Sequence, residues 1–283
     1  MNYDSVSQTY KATITAPGTS SYNNNSGHYL PVTVVATDAA GNTTTMDDTD
    51  ATLGDSLKLR VQEKVAPEIS IISPTSGSTL TNNKPMFTWK VIDADSGVDD
   101  STITIKVDTG AAVSAGITKT EISGGFTCTY TPASALSDGS HTIIFNASDH
   151  DGNAASAVSM TLKVDTVPPA LTLTSPADGL ITNNATLTVS GVTNDETSSP
   201  VTLKVNGTPV TVNANGSFAM QMTLTVGENT ITVVATDSAG KSSTVTRTVT
   251  LDTTPPTISA VTISPNPVDA GATYIVSVTV SDA

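Results

Sequence analysis

The chain has 283 residues, enough for two or three ordinary domains, and carries 26 acidic against 12 basic residues for a formal charge of −14. Its few Lys and Arg are scattered, which excludes a nucleic-acid partner, since phosphate binding needs clustered cations. No apolar run reaches the roughly 18 residues of a membrane span, and one cysteine excludes an intrachain disulfide. Threonine is the commonest residue, charged residues are 13% and aromatics 4%. Thr and Val favour a pleated backbone, and no window holds apolar residues at helical spacing over three turns. The expectation is an all-β chain of tandem sandwiches in an elongated array.

In chain order, residues 1–64 hold "YKATITAP", "VTVVATDAAGN" and "SLKLRVQE", the closing strands of a sandwich with no visible opening half. This reads as a partial or atypical module, ended by the linker "EKVAP" from Glu63 to Pro67. Residues 65–166 form a complete domain, with Phe87, Trp89 and Val91 alternating into a core. Phe126, Cys128 and Tyr130 share one strand face, where Cys128 is a core residue. Residues 167–253 divide into seven short strands, and Asn206–Gly207 and Asn215–Gly216 are hairpin signals. Residues 254–283, with "TISAVTISPNP" and "TYIVSVTVSDA", form the opening half of a further domain.

Repetition organises all of this. "VTVVATDAAGN" (Val32 to Asn42), "IIFNASDHDGN" (Ile143 to Asn153) and "ITVVATDSAGK" (Ile231 to Lys241) share one plan: an alternating strand, an Asp, two residues, then Gly. "VDTVPP" and "LDTTPP" repeat as boundaries, because tandem prolines cannot extend a central strand. "ISPTSGSTLTNN" is echoed by "TSPADGLITNN". The spacing between boundaries is on the order of 90 to 100 residues, the size of an immunoglobulin-like sandwich.

These motifs, with "LSDGSHT" from Leu136 to Thr142, resemble the bacterial immunoglobulin-like repeats of surface adhesins, cell-wall-linked enzymes and phage virion proteins. Residues 167–253 look most like the variety attached to sugar-active enzymes. The resemblance covers nearly the whole chain and implies spacers, adhesive tips or carbohydrate-contacting accessories. The two incomplete ends leave two readings open: a fragment of a longer array, or half-domains that complete one another head-to-tail between copies.

In such a sandwich two loops and the incoming linker meet at one end. For residues 65–166 this gathers Glu63, the stretch Asp93 to Asp100, and Asp149 to Asn153. Glu63, Asp93, Asp95, Asp99, Asp149 and Asp151 are therefore candidate ligands for calcium, which takes six to eight oxygens. For residues 167–253 the same logic gathers Thr193 to Thr197, Asp237 and linker Asp165. The competing reading is structural: Asp caps its own turn, and Gly accepts a positive φ.

Three histidines, His28, His141 and His150, lack partners at zinc-ligand spacing. His141 reads as a surface or edge residue and His150 as a solvated loop tip. No nucleophile elbow, phosphate loop or metalloprotease motif occurs, so no catalytic residue is assigned and the chain is read as non-enzymatic. Two functions follow: a structural or adhesive spacer and attachment module, or a carbohydrate-binding accessory module. The second would use exposed aromatics among Tyr3, Tyr10, Tyr22, Tyr29 and Tyr274. Partners would be a surface glycan or protein receptor, or another copy of the chain, without membrane insertion. The first thirty residues show no export signal, which favours a phage virion if Met1 is the natural start; otherwise the expected place is extracellular or the cell surface.

Overall fold

The computed structural model describes residues 1–6 and 9–282. They form two compact units, Met1–Thr166 and Val167–Ala283, built from strands with a single short 3-10 turn at Gly54–Leu57. The first unit opens with three two-stranded pairings. β1 (Asn2–Asp4) pairs with β2 (Thr9–Lys11), and β4 (Val34–Thr37) pairs with β5 (Thr43–Met46). Enclosing that second pair, β3 (Leu30–Pro31) pairs with β6 (Lys58–Leu59). Val34 and Val35 stay exposed, so this segment is a set of ribbons without a sandwich core of its own.

The rest of the first unit is an eight-stranded sandwich. Its strands are β7 (Glu68–Ser73), β8 (Thr79–Leu80), β9 (Phe87–Ile92), β10 (Val98–Val107), β11 (Thr118–Ile122), β12 (Gly125–Tyr130), β13 (Gly139–Asp149) and β14 (Val158–Val164). One sheet runs β10-β13-β14-β8 and the other β11-β12-β9-β7. Period-two alternation puts Phe87, Trp89 and Val91 of β9 wholly inside, facing Ile143 and Phe145 of β13. The Trp89 and Phe145 rings lie 4.9 Å apart at 49°. Cys128 of β12 is directly opposite Trp89 in the register and equally buried. Each such side chain contributes about 1.5–3 kcal/mol by leaving water, which is how a chain with few aromatics still holds a core.

The second sandwich comprises β15 (Ala170–Ser175), β16 (Leu180–Thr182), β17 (Thr186–Asn194), β18 (Thr202–Val205), β19 (Thr208–Val210), β20 (Ser217–Thr223), β21 (Gly227–Thr236) and β22 (Ser242–Leu251). Its sheets are β15-β17-β20 and β16-β22-β21-β18-β19, around a core that includes Val189, Ile231, Val233 and Val249. Asn206 and Gly207 both take positive φ, 47° and 81°, and close the β18–β19 hairpin. The second Asn-Gly signal behaves differently. Gly216 closes a tight turn onto Asn213, but β19 and β20 on either side belong to opposite sheets, so this turn carries the chain across the sandwich.

The two short strands β8 and β16 have no counterpart in the alternating pattern of the sequence. Each runs parallel to the last strand of its sandwich, with Leu80 beside Val164 and Leu180 beside Val249. Beyond the second sandwich, β23 (Thr257–Ser264) and β24 (Ile275–Ser281) form a ribbon that leaves Ile258, Val261, Ile275 and Val278 exposed.

Candidate metal centre

The repeated Asp-x-x-Gly sentence has one structural meaning. Asp38, Asp149 and Asp237 each donate their amide to the carbonyl four residues on and receive that residue's amide on Oδ1. Gly41, Gly152 and Gly240 follow at φ 89°, 91° and 88°, a region that side-chain-bearing residues rarely adopt. Exposed Asp38 is held below the usual carboxylate range by the Asn42 side chain and the amides of the turn. At this level the Asp is a turn cap.

At Asp149 the turn is also part of a cluster. Glu63, from the segment that enters the sandwich, Asp93 at the end of β9 and Asp149 at the end of β13 bring carboxylate oxygens within 4.8 Å of one another. Asp93 and Asp149 are buried, at 5% and 2% exposure, and Glu63 is half-buried. Local geometry fixes each. Asp93 Oδ1 accepts the amides of Asp95 and Gly97, at 3.0 and 2.8 Å. Asp149 Oδ2 accepts Asn153 Nδ2 at 2.7 Å. Glu63 Oε1 accepts the Ser96 amide at 2.8 Å, its amide donates to Asp151 Oδ2 at 2.9 Å, and its carbonyl accepts Asn153 Nδ2.

Three carboxylates at this distance repel strongly where water is displaced. Among the described residues no Lys, Arg or His forms an ion pair with any of them. Ser96, wholly buried and next to Glu63, has a hydroxyl oxygen without a hydrogen-bond partner. Such an orphan normally signals a water or an ion. An all-oxygen donor set of carboxylates and hydroxyl suits a hard cation such as calcium.

The other three candidate ligands have different tasks. Both carboxylate oxygens of Asp95 accept the Ser20 amide at 3.0 Å, and its carbonyl accepts Asn23 Nδ2. Asp95 therefore docks the N-terminal segment. Asp151 positions Glu63 through its amide. Asp99 turns away to cap Ser101 through its amide and hydroxyl.

In the second unit, Asp195 and Asp237 are likewise buried, with carboxylate oxygens within 4.8 Å. Asp195 Oδ1 accepts the Thr197 and Ser198 amides, while Asp237 Oδ2 and the Ser198 hydroxyl are buried without hydrogen-bond partners. Asp165 is buried at the end of the first unit, where its amide donates to the Leu80 carbonyl.

One histidine departs from expectation, and another, exposed at its loop tip as expected, has an unforeseen neighbour. His141 is buried, not an edge residue: Nδ1 meets Asp108 Oδ2 at 2.8 Å and Nε2 meets the Ser137 carbonyl at 2.7 Å. His150 is exposed but stacks on Tyr22 at 4.0 Å, and His28 covers the other face of Tyr22 at the same distance. Nothing in local periodicity pairs residues 22 and 150. Of the tyrosines considered for sugar stacking, Tyr29 gives its hydroxyl to Asp48, and Tyr10 and Tyr274 are exposed. The side chain of Tyr3 lies outside the described residues.

Residues 72–166 match the bacterial Ig-like domain family, and residues 169–253 match domain B of glucodextranase. Bacillopeptidase F of Bacillus subtilis (strain 168) is 35% identical over 182 residues, 64% of this chain but 11% of that protein. The chain thus spans about a tenth of the length of the curated relative it matches. Among solved structures, the titin fragment I67–I69 aligns over 81% of this chain and 76% of its own at TM-score 0.44 and 14% identity. The fibronectin(III)-like modules of Clostridium thermocellum CbhA align over 65% of this chain and 94% of their own, at TM-score 0.36 and 16% identity.

Proposed function

We propose that this chain, whose residues 72–166 match the bacterial Ig-like domain family and whose residues 169–253 match domain B of glucodextranase, is a non-catalytic spacer and attachment module of an extracellular or cell-surface protein. The observation that carries the reading is the meeting of Glu63 with Asp93 and Asp149. These residues come from the incoming segment and from two sandwich loops. A calcium ion held by all three would add to the hydrogen bonds that already tie that segment to the sandwich. Extracellular modules of this chemistry work at calcium levels of about 10⁻⁴–10⁻³ M. Bacillopeptidase F supports an accessory role, because what it shares is a small part of a much longer chain.

Trypsin provides the test, since Arg60 and Lys64 are exposed and flank Glu63. Calcium is expected to slow cleavage at both, EDTA to restore it, and cleavage at Lys241, in the β21–β22 turn of the second unit, to remain unchanged. Purified chain should also turn over neither casein nor glucans. Calcium-independent cleavage at Arg60 and Lys64, or genuine turnover, overturns the reading.

The glucodextranase match favours one alternative, a carbohydrate-binding accessory module. It would rest on exposed Tyr10 and Tyr274. Hits on a glycan array that disappear in Tyr10→Ala or Tyr274→Ala would select it over the spacer.

A further inference from the structure

A cleft of about 390 Å³ opens beside the carboxylate cluster, within the first unit. Tyr22 and His28 come from the loop before β3, Arg60 and Gln62 from the segment after β6, and His150 and Asp151 from the β13–β14 turn. The three segments are held in place. Ser21 donates its amide to the Val61 carbonyl and accepts the Val61 amide on Oγ, and the His150 amide bonds the Gly97 carbonyl. The rings of His28, Tyr22 and His150 form a continuous stack, with interplanar angles of 12° and 6°. His28 takes φ 58° and sets Nδ1 2.6 Å from the Tyr22 carbonyl, which fixes its ring.

The cleft lining is less acidic than the chain as a whole, because Arg60 offsets Asp151. One of only two arginines and two of only three histidines line this cleft, in a protein of net charge −14. Among the described residues, no hydrogen bond or ion pair engages the Arg60 guanidinium, the Tyr22 hydroxyl, His28 Nε2 or the ring nitrogens of His150. Asp151 also lines the cleft, but its Oδ2 faces the Glu63 amide. A guanidinium fork, a phenol and the free imidazole edge of His150 form a donor set for an oxyanion, while His28, whose Nδ1–H donates to the Tyr22 carbonyl, braces the stack.

We propose that this cleft binds the phosphate or carboxylate group of a small polar ligand such as a phosphorylated or acidic sugar. Arg60 supplies the paired donors and the His28–Tyr22–His150 stack forms the rigid wall. Both faces of Tyr22 are covered by imidazoles, so recognition is through polar edges and not through sugar stacking.

The test follows the imidazole C–H signals of His28 and His150 by NMR while inorganic phosphate, glycerol phosphate and glucuronate are titrated in calcium-free buffer at constant ionic strength. His141, buried between Asp108 and Ser137, is the internal control. Saturable shifts at His28 and His150 but not at His141 are expected, with the stronger of the phosphate and glucuronate arms identifying the source. Arg60→Gln, a substitution at an exposed position, should weaken binding at least tenfold. No saturable shift with any probe, an equal shift at His141, or an unchanged titration in Arg60→Gln overturns the proposal.

Discussion

Asp151 Oδ2 accepts the Glu63 amide at 2.9 Å, so the loop that follows β13 fixes the backbone of the segment that delivers the third carboxylate. Outer partners that orient metal ligands commonly change affinity by about 10–100-fold when removed. Asp151→Ala should therefore weaken calcium binding by that order, measured by titration calorimetry. It should leave the circular dichroism spectrum unchanged. Undiminished affinity would mean that Glu63 is placed by other contacts.

His141 and Asp108 provide a pH-dependent element far from any proposed ligand. Burial pulls the imidazole down, but the Asp108 carboxylate and the Ser137 carbonyl outweigh it and hold His141 above its ordinary value. Burial pushes the Asp108 carboxyl up, yet His141 and the Thr142 amide hold it lower than usual. The His141 contribution is complete below about pH 6.5 and fades as pH rises through its raised value. The Asp108 contribution is complete above about pH 4 and fades as pH falls through its lowered value. Urea midpoints of His141→Gln should therefore fall further below native at pH 5 than at pH 9. An equal deficit at both would contradict the pairing.

Trp89 is wholly buried against Phe145, and its Nε1–H finds no acceptor. Trp89→Ala should cost about 3–5 kcal/mol, the range for emptying a large core site. Trp89→Phe should cost much less, because it also removes an unpaired donor. Chemical denaturation followed by circular dichroism distinguishes the two, and equal losses would count against an orphaned indole.

Cys128 faces Trp89 in the same core, and burial pushes its thiol up to about 11. A thiol reagent at pH 8 should leave it unlabelled until the first sandwich unfolds, since the thiolate is the reactive form. Stoichiometric labelling of native protein would show that this core opens readily.

Much of the fold was legible because a pleated strand writes itself as alternation. Phe87, Trp89 and Val91, or Ile231, Val233 and Ala235, announce a buried face in three residues. Turn chemistry was equally open at Asn206–Gly207 and at the three Asp-x-x-Gly loops. Strands β8 and β16 were hidden, since two or three residues are too few to alternate and their pairing depends on a strand far along the chain. The carboxylate set was legible as a group but not by role. Asp93, Asp95 and Asp99 sit two and four residues apart, yet the turn after β9 sends them to the cluster, to Ser20 and to Ser101. The Tyr22–His150 stack spans 128 positions and left no local trace.

Calorimetric unfolding of the purified chain with and without calcium bears most directly on the carboxylate joint. With millimolar calcium in excess over its dissociation constant, the first unit should gain about 1–3 kcal/mol. Its melting temperature should rise by several degrees, EDTA should reverse the gain, and Asp149→Asn should abolish it. A melting temperature indifferent to both calcium and EDTA would show that Glu63, Asp93 and Asp149 form a network of turns and not a cation site.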